Sequence, residues 1–318
     1  MSTSTIGPGA FEEGPFDRSG LDPSRFAEAP NLPEVLPPRR ARGKVGMFVY
    51  RHPTVFAGGL LLGIMIFIAI FAPLLFTADP TALAPAKRTR FPNADYWFGT
   101  DMLGRDVYSR VLYGSRVSLI VGFSVAAVAS CVGLFIGLMA GFIRFIDSVV
   151  MRVMDGLQSI PGILLAIALM ALTRASVQNV VVAIAVTQVP PVARLVRSVV
   201  LSLREQPYVE AAVAAGTPVW KIILKHILPN TLAPVIVQAT FICASAMITE
   251  ATLSFIGAGT PPIIPSWGNI MAEGRALWQV KPYIVFFPAA FLSVTVLAVN
   301  LLGDGLRDAL DPRLAKRI

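Results

Sequence analysis

Two histidines, His52 and His226, and two cysteines, Cys131 and Cys243, are all the imidazole and thiol chemistry in 318 residues. Zinc hydrolases set two histidines one helical turn apart beside a glutamate, and many serine hydrolases hold their nucleophile in Gly-x-Ser-x-Gly. Neither arrangement occurs here. The Gly-x4-Gly-Lys-Ser/Thr loop that cradles nucleotide phosphates is also missing, so no ATP binding is expected on this chain. Both cysteines lie in apolar runs without a partner at disulfide or metal-site spacing, and read as small packing residues. No covalent catalysis, metal or resident cofactor is expected.

What remains is the chemistry of charge. Asp101 with Arg105, and Asp106 with Arg110, stand at i,i+4 in the favoured acid-before-base order. They predict a solvated, salt-bridged helix, each pair contributing about 0.2 to 0.5 kcal/mol. Glu250 closes a long apolar run. It is expected near the outer interface, either lining a solute path or as an interfacial, salt-bridged carboxylate. Trp267, in a Pro/Gly-rich stretch, reads as an interfacial anchor. A proton- or sodium-coupled carrier needs a relay of acids or histidines inside its spans, and these runs lack one.

The elements that must position these groups are membrane helices. Hydrophobic residues make up 55% of the chain and charged residues only 14%, with a mean hydropathy of +0.67. Soluble domains average about 25% charged, and disordered chains reverse this balance altogether. Crossing a ~30 Å hydrocarbon layer takes about 20 apolar residues in a helix. Six charge-free stretches qualify: Thr54 to Ala78, Val117 to Ile143, Gly156 to Thr173, Ala175 to Ala193, Ile227 to Thr249 and Pro282 to Gly303. The third is the shortest. Pro161 and the pair Pro190-Pro191 permit kinks in the third and fourth. The stretch Ala251 to Ala272 is broken by Gly257, Gly259, Pro261, Pro262 and Pro265 and reads as a loop, partly re-entrant. The fold class is therefore all-α, a polytopic membrane protein with six transmembrane helices in a domain from residue 54 to 318.

Orientation follows from the cations between spans. With the N-terminus inside, the cytoplasmic segments hold 18 Lys and Arg and the outer ones 9, six of these between Lys87 and Arg116. Both termini are expected in the cytoplasm. The net charge of +8 thus reflects topology and gives no reason to expect nucleic acid. Residues 1 to 38, with seven prolines and four glycines, read as a flexible tail. Residues 39 to 53 are basic, with Val45, Phe48 and Val49 at helical spacing. They suit a helix on anionic membrane lipid, or a plain positive-inside signal.

The loop between spans four and five, residues 194 to 230, contains Glu210-Ala211-Ala212-Val213-Ala214-Ala215-Gly216. Pro207 suits a first helical turn, the alanines favour helix, and Gly216 closes it in the left-handed conformation. Thr217 and Pro218 are expected to restart a second helix as N-cap and first residue, with Trp220, Lys221, Lys225 and His226 on it and Pro229 at the entry to span five. A short helix of small residues can be approached closely by a partner's groove, or it can be an ordinary connecting hairpin under the bundle. Spacing alone leaves both open.

The pattern Glu210-Ala-Ala-x3-Gly216-x9-His226-Ile-Leu-Pro229 resembles the EAA signature of ABC importer permeases. Three further stretches are similar to the dipeptide, oligopeptide and nickel group of that family, and to its second permease subunit. They begin at Phe98-Gly99-Thr100-Asp101, at Pro261-Pro262 with Ser266-Trp267-Gly268-Asn269, and at Gly303-Asp304-Gly305-Leu306-Arg307. The resemblance implies a type I ABC importer permease fold in a bacterial inner membrane. It implies a heterodimer with a related permease, two ATPase subunits that bind ATP and Mg, and an extracytoplasmic binding protein. Carried over by position, Glu210, Ala211, Ala212 and Gly216 form a coupling helix that docks on an ATPase, with Trp220, His226 and Pro229 fixing its angle to span five. The alternative is a self-contained secondary transporter or channel, which would work without ATP. Substrates in the group range from peptides to nickel and glutathione.

Overall fold

The computed structural model describes residues 52–310, and every helix or strand element among them is helical. The tail over 1–38, the basic segment as far as Arg51, and Asp311-Pro312-Arg313 lie outside the described residues. The helices are α1 (Pro53–Phe71), α2 (Val107–Phe142), α3 (Arg144–Gln158), α4 (Gly162–Ala171), α5 (Val177–Arg204), α6 (Pro207–Ala214), α7 (Val219–Ile222), α8 (Leu228–Ile256), α9 (Trp267–Gly274) and α10 (Tyr283–Leu310). A π-helical turn, Ile223–Ile227, joins α7 to α8 without a break.

The length of α2 already separates membrane from surround. At 1.5 Å per residue its 36 residues reach about 54 Å, well beyond a ~30 Å hydrocarbon layer. Part of it therefore extends beyond the layer, and Arg110 lies in its first turn. The start is fixed by Asp106, whose carboxylate accepts the Ser109 amide at 2.9 Å as an N-cap. The expected helix over Asp101 to Arg110 is thus corrected: the stretch before Val107 is a loop. Gly104, at φ +79, takes a left-handed conformation that an α-helix cannot contain.

A stripe of glycines sets the direction of the bundle. Gly133, Gly137 and Gly141 of α2 face Val192, Val196 and Val200 of α5, and a Cβ on any of them would lie 2.5 to 2.6 Å from a valine Cβ. Small residues let helices approach where no hydrophobic effect drives them together. Because both series rise in step, α2 and α5 run parallel. Arg204 closes the far end, donating to the Gly141 carbonyl at 2.9 Å. The chain from α2 to α5 must therefore recross the layer, and it does so through α3 and α4, which are bent by 88° at the Ser159 to Pro161 break. The expected third span, Gly156 to Thr173, becomes the second half of a broken crossing, with Pro161 ending what a continuous helix would need. Asp147 and Asp155 tie α3 to α5 through Arg197 and Arg194, at 2.7 Å in each case. Counting the broken pair once, six crossings result.

Of the remaining spans, α1 and α8 run antiparallel to this pair, while α10, antiparallel to α1, runs parallel to it. Gly122 of α2 meets Cys243 and Met247 of α8, and Gly58 of α1 meets the α10 backbone at Ala298 to Leu302. The stretch expected as a loop from Ala251 is half helical. α8 runs on to Ile256, where Gly257 ends it, and Ser266 caps α9 by accepting the Asn269 amide at 3.2 Å.

Candidate functional site

At the end where α5 finishes, α6 is built by its termini. Pro207 occupies the first turn and Gly216 adopts φ +73. The Gly216 amide donates to the Val213 carbonyl at 2.9 Å and the Thr217 amide to that of Ala212 at 3.1 Å, a Schellman closure. This use of the Thr217 amide moves the next helix one residue on. Pro218 takes the cap position and Val219 begins α7, where Thr217 and Pro218 had been expected.

One side of α6 is anchored and the other is free. Val209 is buried and Ala212 half-buried, while Tyr208, Glu210, Ala211, Val213, Ala214 and Gly216 are exposed. Glu210 makes no ion pair among the described residues, and it borders a hollow of about 340 Å³ with Arg144, Asp147, Arg204 and Glu205. His226 faces the Tyr208 ring at 6.2 Å between centroids. Trp220 is 60% exposed, with the Lys221 ammonium 5.4 Å from its ring centre. Pro229 is exposed at the start of α8, just past the π-turn. Such turns add a residue to the helical ladder and are frequent at functional sites.

From this end a groove of about 650 Å³ extends between α5, α8 and α10, past Leu195, Pro229, Pro234, Gln238, Phe241 and Arg307. Sequence reasoning did not find it. Its residues come from three helices distant in sequence, and no local pattern brings them together.

At the opposite end the expected ion pairs are reorganised. Asp101 accepts from Arg105 at 2.7 Å and from Arg110 at 2.6 Å, and Glu273 of α9 bonds both arginines, Arg105 at 2.5 Å. Asp101 and Arg110 are almost fully buried. Asp106 caps α2 and does not pair with Arg110. In place of two solvated pairs there is one sequestered quartet, which fastens the loop before α2 to the short helix before α10. Trp267, expected at the interface, is fully buried beside it, its indole N–H donating to the Val111 carbonyl at 3.1 Å. An aromatic in a Pro/Gly loop fits an anchor or a core equally well, and here the α2–α9 packing encloses it.

Glu250 lies among packed helices and not in the interfacial setting expected of it. It is fully buried and makes no salt bridge among the described residues. Its carboxyl group is met by the hydroxyls of Ser254 at 2.8 Å, Thr260 at 3.4 Å and Ser118 at 3.5 Å. Asn269 completes the network, donating to the Thr260 hydroxyl at 2.9 Å and to the carbonyls of Thr260, Pro261 and Ile264. This carboxyl ties the loop between α8 and α9 to α8 and α2 through hydroxyl groups.

Comparison with known proteins bears on both ends. A family model described as "Binding-protein-dependent transport system inner membrane component" matches residues 133–316, which include all of α6. The chain is 52% identical over 280 residues to the probable peptide ABC transporter permease protein y4tQ of Sinorhizobium fredii, covering 88% of this chain and 96% of that one. It is 43% identical to the dipeptide transport system permease protein DppC of Alkalihalophilus pseudofirmus, covering 83% and 87%. Identity to the glutathione transport system permease protein GsiD of Pectobacterium atrosepticum is 40%, covering 84% and 89%. Among solved structures, a chain of the inward-facing MetNI methionine ABC transporter shares the fold, with a TM-score of 0.51 at 20% identity over 63% of this chain and 96% of that one.

Proposed function

From the premise that the chain belongs to the binding-protein-dependent transport system inner membrane component family, the permeases of ATP-driven ABC importers, we propose that α6 is its coupling helix. The chain is an inner-membrane transport subunit and not an enzyme, and the self-contained carrier falls away with the family. In this reading Glu210, Ala211, Ala212 and Gly216 dock in a groove of a cytoplasmic ATPase that binds ATP and Mg. Trp220, His226 and Pro229 pass the movement into α8 across the π-turn. The observation that carries the reading is the free small-residue face of α6, held rigid by Val209 on one side and the Gly216 closure at its end.

The positive-inside bias orients α6 and both termini toward the cytoplasm and the ion quartet outward. The groove along α8 becomes the wall of the translocation path once a related permease covers it. Asn230, Gln238 and Arg307 are its polar side chains. The relatives' names point to peptides as cargo, delivered by an extracytoplasmic binding protein. The test is uptake of a labelled peptide mixture into proteoliposomes holding this chain with its partner permease, ATPases and binding protein. Uptake is expected only with ATP and only with every component present. Uptake by this chain alone, driven by an ion gradient, would refute the assignment.

A further inference from the structure

The outer loop carries cations on the side where the positive-inside bias disfavours them, and only half of them are used in folding. Of the six between Lys87 and Arg116, Arg105 and Arg110 are consumed in the quartet. Arg116 donates to the carbonyls of Ala69 and Ile70 near the end of α1, at 2.5 and 2.8 Å. Lys87 donates to the Tyr96 hydroxyl at 2.7 Å and remains exposed. Arg88 and Arg90 are exposed and have no side-chain partner among the described residues. The exposed acids of the same loop, Asp79 and Asp95, pair with none of them.

The backbone that bears Arg88 and Arg90 is held unusually firmly. The Thr100 hydroxyl donates to the Lys87 carbonyl at 2.5 Å and accepts the Arg90 amide at 2.8 Å. The Thr89 amide donates to the Asp101 carbonyl at 3.0 Å. The Arg90 carbonyl accepts both the Thr100 amide at 3.0 Å and the Tyr283 hydroxyl at 2.8 Å. Between the two arginines Thr89 sits at φ +48, a left-handed conformation that is strained for a β-branched residue. Such strain persists only where the surroundings over-determine it. Beside this ribbon the Lys281 ammonium lies 3.4 Å from the centre of the exposed Phe91 ring, and Trp278 and Val280 are exposed next to it in sequence. The result is a rigid, cationic and aromatic platform, set on the buried quartet through Asp101. Free cations and flat aromatics on preformed backbone are what an acidic protein surface meets at little ordering cost.

We propose that Arg88, Arg90 and Lys281, with Phe91 and Trp278, form a docking platform for an acidic face of the extracytoplasmic binding protein. This rests on the outward orientation and the partner set given under the proposed function. Exposed charges of this kind act mainly by steering, raising association rates by tenfold or more at low ionic strength.

The test uses the assembled importer in nanodiscs and its fluorescently labelled binding protein, with wild type compared against the Arg88→Glu/Arg90→Glu double variant across a salt series. The variant is expected to associate about tenfold more slowly at low salt and to lose the steep salt dependence of wild type. Excess binding protein should restore its uptake. Co-purification of the ATPases with the variant serves as the folding control. Equal rates and equal salt slopes would overturn the platform while leaving the importer reading intact. Failure of wild type to engage the binding protein at any salt would overturn both. A variant defect confined to nanodiscs of anionic lipid would assign the cations to lipid phosphates and overturn the protein-docking proposal.

Discussion

Gly216→Pro and Glu210→Lys are each expected to cut ATP-driven uptake about a hundredfold, the scale of losing a central contact in a protein interface. Both variants should still insert in the membrane. Proline cannot adopt the φ of +73 found at Gly216 and has no amide to donate to Val213, so the Schellman closure opens and α6 loses its angle to α8. Gly216→Ala isolates the backbone contribution. Its methyl group would meet nothing within 4 Å, which leaves only the left-handed penalty of about 1 to 2 kcal/mol. A partial loss is therefore expected from alanine where proline abolishes transport. Glu210 is exposed and makes no ion pair among the described residues, so its removal costs the fold little. Lysine there would add a cation to a hollow that already holds Arg144 and Arg204 and present the wrong sign to any basic pocket on the ATPase. Paired measurements of uptake and ATPase co-purification check this, and wild-type values for both would remove α6 from the coupling path.

Arg110→Met should destabilise the outer half of the molecule by about 3 to 5 kcal/mol, the usual cost of removing one member of a buried ion pair. Arg110 bridges Asp101, in the loop before α2, and Glu273, on α9. Without it Asp101 keeps only Arg105 as an ion-pair partner, and Arg105 alone ties the loop before α2 to Glu273 of α9. A lysine at 110 reaches one acid at a time and should recover only part of the loss. Asp101→Asn combined with Arg110→Met should cost less than the sum of the two single changes, because the members of the quartet act as a unit. The measurement is the thermal unfolding midpoint of the purified complex in nanodiscs, read alongside protease sensitivity of the loop between Thr77 and Asp106. An unfolding midpoint equal to wild type would show that the quartet is solvated and structurally dispensable.

Much of the architecture was legible because membrane insertion and helix termini are local, sequence-coded effects. Charge-free runs located the crossings, Pro207 marked the start of α6, and Gly216 marked the left-handed closure just past its last residue, Ala214. Departures arose where distant or conformational information decides. The i,i+4 rule applies only inside a helix, and Gly104 rules one out before Val107. The partner that completes the quartet, Glu273, lies 163 residues beyond Arg110 and carries no local mark of that role. By spacing Asp106 reads as a salt-bridge partner of Arg110, but the amide of Ser109 claims it as a helix cap. The broken third crossing was foreshadowed by its short apolar run and by Pro161. Its existence as a crossing follows only from the parallel α2 and α5, which no single segment encodes. The hydroxyl network around Glu250 draws on Ser118 and Thr260 from other elements and leaves no local mark in the sequence.

The central claim is that α6 carries the energy of an ATPase on another chain into this one. Its most direct test places a photocrosslinking amino acid at Ala211, on the exposed face of α6, in the assembled importer. Irradiation should yield a single adduct with an ATPase subunit, its yield changing between the nucleotide-free and ATP-bound states. A probe that labels only lipid, water or this chain, in an importer still active in ATP-driven uptake, would contradict the account.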